Sequence, residues 1–185
     1  MKNIKIKIGG FGGQGIILAG YILGKAAAIY DKKNATLTQS YGPESRGSAC
    51  SAQLIVGDEE IDYPKVTQPD ILIVMSQESY DKFTPELVKG GILLYDEDLS
   101  KPTNNLGKTT KIYSIAATRY AEDMGKKIVA NIIMLGFFTA VSEIITPEAM
   151  EKAICSSIPK GFEELNINAF KRGYDSGINR IKKKK

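Results

Sequence analysis

The sequence predicts an α/β protein: an open, mostly parallel sheet flanked by helices, Rossmann-like, in a single domain with a helical C-terminal part. Three observations predict it. Short strand-like segments alternate with helical ones along the chain. The first strand and first helix are joined by Gly9-Gly10-Phe11-Gly12-Gly13-Gln14-Gly15, a tight loop poor in Cβ atoms. Ile71 to Met75 is continuously apolar, as a strand covered on both faces should be.

Taken in order, residues 4–8 alternate Ile and Lys at the strand period of two. Residues 15–30 follow the glycines as a helix rich in Ile, Leu and Ala. Ala35 to Ser40, with Thr at alternate positions, reads as a second strand, and Ala49 to Val56 as a third that ends in a Gly57-Asp58 turn. Between them Tyr41 to Ser48 is a loop by its Gly and Pro content. Ile71–Met75, Ile92–Tyr95 and Lys111–Ile115 complete the strands. Helices are expected around 77–82, 117–124, 127–142, 147–156 and 161–181; Thr146-Pro147-Glu148 supplies a cap and a first-turn proline for the fourth of these.

Composition limits the chemistry. The chain has 185 residues, 43% hydrophobic and 25% charged, which is ample apolar material for one folded unit. That unit spans residues 1–181, and 182–185 is a basic tail. The net charge of +4 is carried by Lys182 to Lys185, which leaves residues 1–181 neutral and gives no support to nucleic-acid binding. The tail is expected to be solvated, although it could touch an acidic partner.

Histidine is absent, which removes imidazole bases, Ser-His and Cys-His pairs, and histidine-ligated metals. Cys50 and Cys155 are far apart, lack CxxC spacing and cannot supply the four thiolates of a cubane cluster; a disulfide between them is not expected. No catalytic residue and no metal site is therefore assigned. The start, Met1-Lys2-Asn3-Ile4-Lys5, has no signal-peptide core, and the longest apolar stretch, Ile128 to Val141, contains Asn131 and is too short for a bilayer. The expectation is a soluble cytoplasmic protein with no membrane partner.

Gly10-Phe11-Gly12-Gly13-Gln14-Gly15 fits G-x-G-x-x-G between a strand and a helix. Glycines let the backbone approach a phosphate, and the free N–H groups of a helix start favour an anion. A nicotinamide site also needs an acid at the end of the second strand to hold ribose hydroxyls. Here that strand ends Gln39-Ser40; Asp31 comes too early, and Glu44 lies beyond, in the Pro-containing loop. The alternative is a glycine turn that only lets helix and strand pack closely. Gly24-Lys25 resembles the end of a nucleotide phosphate loop, but Ala19 and Ala26 stand where that motif needs Gly and Ser/Thr, so Gly20 and Gly24 are read as helix-packing positions.

The Tyr41–Ser48 loop holds two glycines, Pro43 and an opposed Glu44/Arg46 pair. In a parallel sheet it follows the second strand at the same carboxyl edge as the glycine loop, where ligands of open α/β sheets collect. Arg46 could clamp a phosphate or carboxylate, or simply pair with Glu44.

Together, Gly12-Gly13-Gln14-Gly15, then Gln39-Ser40-Tyr41-Gly42-Pro43-Glu44-Ser45-Arg46-Gly47, then Tyr63-Pro64 resemble the gamma subunit of 2-oxoacid:ferredoxin oxidoreductases. Phe11 and the Gln39-Ser40-Tyr41 lead-in are more similar to the 2-oxoglutarate type than to the pyruvate type, and Asp70 to Tyr80 extends the likeness. The resemblance is strong through about residue 100 and general afterwards. It implies one subunit of a heteromeric enzyme that oxidatively decarboxylates a 2-oxoacid, passes the acyl group to coenzyme A and sends electrons to ferredoxin. It also implies that thiamine diphosphate and iron–sulfur clusters sit on partner subunits. By motif match, Gly12, Gly13, Gln14 and Gly15, with Ser45 and Arg46, would face the coenzyme A phosphates. Many relatives continue Arg-Gly-Gly where Ser48 follows Gly47 here, a departure at the loop's end.

Helix 15–30 carries only Lys25 as a charge before Asp31, and residues 128–141 are apolar in the same way. A helix packed on one side of a sheet should show a polar outer face. Either the two helices cover each other, or something outside the chain covers them; the second reading predicts that the isolated chain aggregates or oligomerises. Asp96-Glu97-Asp98 reads as a solvated turn, and Phe137 and Phe138 as core. Three classes of function remain: a subunit that helps form a coenzyme A site, a stand-alone dinucleotide-binding oxidoreductase, and a purely structural subunit without a ligand.

Overall fold

The computed structural model describes residues 2–41, 49–103, 106–107 and 109–183. Six strands form one sheet: β1 (Ile4–Phe11), β2 (Asn34–Ser40), β3 (Ala49–Gly57), β4 (Ile71–Val74), β5 (Ile92–Asp96) and β6 (Lys111–Ile115), in the spatial order β2-β3-β1-β4-β5-β6. β1 pairs parallel with β4, β4 with β5 and β5 with β6, while β3 runs antiparallel to both β1 and β2. Five strands thus share one direction and only β3 opposes them, which is the mostly parallel sheet expected. The second strand is not beside the first, because β3 lies between them.

Helices α1 (Ile16–Lys25), α2 (Gln77–Phe83), α3 (Ala117–Asp123), α4 (Ala130–Ser142), α5 (Pro147–Cys155) and α6 (Glu163–Lys182) flank the sheet. Ile6, Ile8, Leu54, Ile71, Ile73 and Leu94 face the larger core with α1, α4, α5 and Phe170 of α6. Leu72, Val74 and Leu93 face the other way, onto Tyr80 and Phe83 of α2. β4 is buried at all four positions, as its apolar run predicted. Lys7 is also buried, on the α2 side, where it pairs with Glu86 and lies 4.9 Å from the centre of the Phe83 ring.

Three local expectations are revised. The glycine segment is strand as far as Phe11, with Gly9, Gly10 and Phe11 in register with Ser51, Cys50 and Ala49. The strand glycines serve close approach: a Cβ at Gly9 would lie 2.7 Å from Phe83 Cδ2, and one at Gly10 2.5 Å from Gln14 Oε1. The helix expected over 15–30 is α-helical only to Lys25 and widens into a π turn over Ala26–Tyr30, closed by Asp31 N–H donating to Ala26 O at 2.9 Å. The three alanines offer no side-chain bulk against a wider turn. Its end presents the Asp31 carboxylate to Thr146 N–H (2.8 Å) and Thr146 Oγ1 (2.6 Å) at the start of α5.

The third revision concerns α4, whose apolar surface is not left open and is not covered by α1 alone. It is buried from Ala130 to Ala140 because α6 lies directly on it. Gly136 faces Phe170 and Tyr174, Gly173 faces Ile133 and Phe137, and Gly177 faces Phe137 and Ala140, so the two helices run parallel with their backbones touching. Phe137 and Phe138 are core, as expected.

Candidate functional site

The carboxyl ends of β1 and β4 lie side by side with Gly9 opposite Val74. From this point the chain leaves toward β2 and β3 on one side and β5 and β6 on the other, which makes it the switch point where open α/β sheets bind ligands. The turn Gly12–Gly15 closes the β1 side. Gly13 (φ +97°) and Gly15 (φ +72°) adopt the left-handed conformation that glycine tolerates. Gly15 caps α1, and the first helical bond is Ala19 N–H to Gly15 O at 2.9 Å, so the amides of Ile16, Ile17 and Leu18 precede any intrahelical acceptor.

The four loop residues singled out by sequence play different parts. Gly12 and Gly13 are exposed, and a Cβ at Gly13 would meet nothing within 4 Å. Gly12 and Gly13 are therefore the open residues of the turn. Gln14 turns its side chain inward: Oε1 accepts from Phe11 N–H at 2.6 Å and Nε2 donates to Met75 O at 2.8 Å. Its amide ties the β1 turn to the end of β4, so a ligand would meet Gln14 through its backbone. Gly15 is held from behind by Asn131, whose Nδ2 donates to Gly15 O at 3.1 Å while its Oδ1 accepts from Ile132 N–H at 2.9 Å.

Ser45 and Arg46 lie outside the described residues, as do Glu44 and Ser48. The described ends of that segment sit at the same edge of the sheet. Ser40 is in register with Ser51, which faces Gly9, and Ala49 is opposite Phe11. Ala49 N–H also donates to Glu78 Oε1 at 3.3 Å, from the α2 side of the switch point.

A pocket of about 280 Å³ adjoins the loop, lined by Gly13, Gly15, Leu18, Lys126, Ile128, Asn131 and Phe162 among others. The N-terminal ends of α1, α4 and α6 meet there, because the glycine contacts make α4 and α6 parallel. Sequence reasoning missed the part played by Asn131, although its signal was present as a lone amide within an apolar run. It also missed Lys126, which stands at the pocket's rim and carries no local pattern.

The acidic run is also revised. Asp96 is fully buried at the end of β5. Its Oδ2 accepts from Thr118 N–H (3.0 Å) and Oγ1 (2.6 Å), and its Oδ1 accepts from Asp98 N–H (3.1 Å), so it braces the start of α3 rather than facing solvent. Burial pushes the Asp96 carboxyl above its ordinary value, against the downward pull of those hydrogen bonds. Glu97 and Asp98 turn outward to Arg180 and Arg119, at 3.2 and 2.7 Å. Among the described residues no group of three or more His, Cys, Asp or Glu could hold a metal ion.

An open α/β sheet with an exposed glycine turn at its switch point defines a protein of the Rossmann-like kind. The inserted antiparallel β3 and the absence of an acid at the end of β2 separate it from nicotinamide-binding relatives. Residues 5–176 match the pyruvate ferredoxin/flavodoxin oxidoreductase family, and the chain belongs to that family.

It is 51% identical over 172 residues to the 2-oxoglutarate synthase subunit KorC of Methanocaldococcus jannaschii, covering 92% of both chains. It is 33% identical over 139 residues to the ketoisovalerate oxidoreductase subunit VorA of Methanothermobacter thermautotrophicus, covering 75% of this chain but 28% of VorA. Among solved structures, the gamma subunit of a keto/oxoacid ferredoxin oxidoreductase from Geobacter sulfurreducens superposes with a TM-score of 0.82 at 39% identity, covering 95% of this chain and 99% of that one. The 2-oxoglutarate:ferredoxin oxidoreductase of Magnetococcus marinus, solved with 2-oxoglutarate, coenzyme A and succinyl-CoA bound, shares the fold at 19% identity and a TM-score of 0.85. That match covers 96% of this chain and 31% of the Magnetococcus chain. The expected gamma-type identity is borne out.

Proposed function

We propose that this chain is the gamma subunit of a cytoplasmic 2-oxoglutarate:ferredoxin oxidoreductase and contributes to coenzyme A binding beside the active site. The observation that carries the reading is the exposed Gly12-Gly13 turn at the switch point of a chain that aligns with KorC over 92% of its length. The enzyme converts a 2-oxoacid and coenzyme A to acyl-CoA and carbon dioxide, and reduces ferredoxin. Backbone amides around Gly13 and the start of α1 meet the phosphates, with Ser45 and Arg46 arriving from the neighbouring segment. Gln14, tied to Phe11 and Met75, and Asn131, tied to Gly15, hold the turn in shape.

Iron–sulfur clusters do not fit the described residues. Cys50 and Cys155 are both free, Cys50 is buried, and no metal-holding cluster exists among the described residues. In this reading the clusters and thiamine diphosphate sit on partner subunits. No helix among the described residues is long and apolar enough to cross a membrane.

The test is steady-state kinetics on the assembled complex carrying Gly13→Ala or Arg46→Ala. The expected result is a KM for coenzyme A raised about tenfold, equivalent to about 1.4 kcal/mol, with the KM for 2-oxoglutarate unchanged. Normal kinetics in both variants, with assembly intact, would leave a purely structural subunit. Titration of the chain with NAD(H) and NADP(H) tests the stand-alone oxidoreductase, for which no binding is expected.

A further inference from the structure

We infer that the outer face of α1, continued by Ile128 and Phe162, is the surface that docks on a larger subunit of the oxidoreductase. Eight large apolar side chains are exposed among the described residues, and five of them lie along this one strip: Leu18, Tyr21, Ile29, Ile128 and Phe162. Leu18 shares a groove with Ile128 and Phe162 beside the glycine turn. Three residues further along the helix, Tyr21 shares a second groove with Ile29, Ala35 and Leu37 at the outer edge of the sheet. The strip therefore runs the length of α1, from the carboxyl edge of the sheet to β2, whose outer edge has no neighbouring strand among the described residues.

Unlike the apolar surface of α4, which α6 covers, this one is left open by the described residues. Ile128 is 72% and Ile29 54% exposed, and a contiguous apolar surface of this kind marks an interaction site.

The composition of the strip and a fused relative identify the occupant. The two lysines that line these grooves are Lys25 and Lys126. Lys25 holds its ammonium on Ser156 O (2.9 Å) and Ser157 Oγ (3.3 Å), 5.8 Å from the centre of the Tyr21 ring, so the one cation beside the middle of the strip already has partners. The surface it fits is mainly apolar, as at the core of a lasting subunit interface. In VorA the matching region is 28% of one longer chain. There this domain is joined by the backbone to a much larger partner. Where the domain is not fused in this way the same association has to be made by a surface, and the α1 strip gathers most of the large apolar side chains exposed among the described residues.

The experiment places a photoreactive benzophenone amino acid at Tyr21 or Ile128 of the tagged chain in its native host. The complex is purified anaerobically and irradiated, and the adducts are identified by mass spectrometry. Both side chains are exposed, so neither replacement disturbs the core. Adducts with a larger oxidoreductase subunit from both positions are expected. Adducts with a second copy of this chain, or no adduct from either position, would overturn the assignment.

The inference rests on the subunit reading, and the two fail differently. If the tagged chain brings down no larger subunit, the subunit reading is wrong. If larger subunits co-purify but neither position reaches them, only the docking face is wrong.

Discussion

The side-chain amide of Asn131 sits where a Cβ on Gly15 would have to go, and donates to the Gly15 carbonyl at 3.1 Å. The residue that caps α1 and the second residue of α4 are thus fitted to each other. Gly13, two residues earlier, faces open space. Replacing either glycine with alanine imposes a left-handed backbone on a residue with a Cβ, at a cost of about 1 kcal/mol. At Gly15 the lost Asn131 hydrogen bond adds to this, for a total of about 3 kcal/mol. Urea denaturation should therefore rank Gly15→Ala well below Gly13→Ala. Equal stabilities would show that the Asn131 contact contributes nothing.

The parallel crossing of α4 and α6 is fixed by backbone contact. A Cβ at Gly173 would overlap the Ile133 carbonyl oxygen, and one at Gly136 would overlap that of Phe170. These are main-chain atoms, so neither can move aside as a side-chain end can. Overpacking of this kind costs on the order of 3 kcal/mol or more. Gly173→Ala is expected to lower the thermal midpoint sharply or to drive the chain into the insoluble fraction, whereas Gly161→Ala, which has open space around its Cβ position and bears only the left-handed backbone (φ +91°) at about 1 kcal/mol, should stay soluble. A Gly173→Ala protein of wild-type stability would mean that the helices pack less closely.

What the sequence made legible follows from which features are local. β4 could be read because burial on both faces leaves no polar residue between Ile71 and Val74, and α5 because Thr146 and Pro147 mark its start. The antiparallel insertion of β3 left no such mark, since a strand's own residues do not say which neighbour it pairs with or in which direction. The apolar α4 looked unpartnered because its cover depends on Gly173 and Gly177, which only spacing across two helices makes meaningful. Gln14 was placed with the ligand by resemblance. Geometry commits its amide to Phe11 and Met75 and leaves Gly12 and Gly13 as the exposed residues of the turn.

The two thiols should behave differently. Cys155 is exposed, at the end of α5. Cys50 is buried beside Gly10, and burial pushes its thiol above the ordinary value, which suppresses the thiolate that reacts. Under native conditions one equivalent of iodoacetamide per chain should be taken up rapidly and mapped to Cys155. Cys50 should react only after denaturation. Fast labelling of Cys50 in the folded chain would show that the β1–β3 edge opens.

Asp96 is the residue whose environment most changes its chemistry. It is fully buried, and its folded-state pKa is raised by that burial above the unfolded value of about 3.9. Below that value both states are protonated and no penalty applies. As pH rises, the unfolded chain ionises first, so folding takes up a proton and stability falls until the raised pKa is passed. Asp96→Asn does not titrate, but its single oxygen cannot accept from both Thr118 and Asp98 because Nδ2 only donates, and the lost acceptor costs about 1–3 kcal/mol. Other acids titrate alike in both proteins. The wild-type advantage over Asp96→Asn, followed by urea unfolding from pH 3.5 to 7, should therefore shrink as pH rises. An advantage that is flat or grows toward neutral pH would mean that the carboxylate is ionised in the fold at no cost, with the hydrogen bonds from Thr118 and Asp98 fully offsetting its burial.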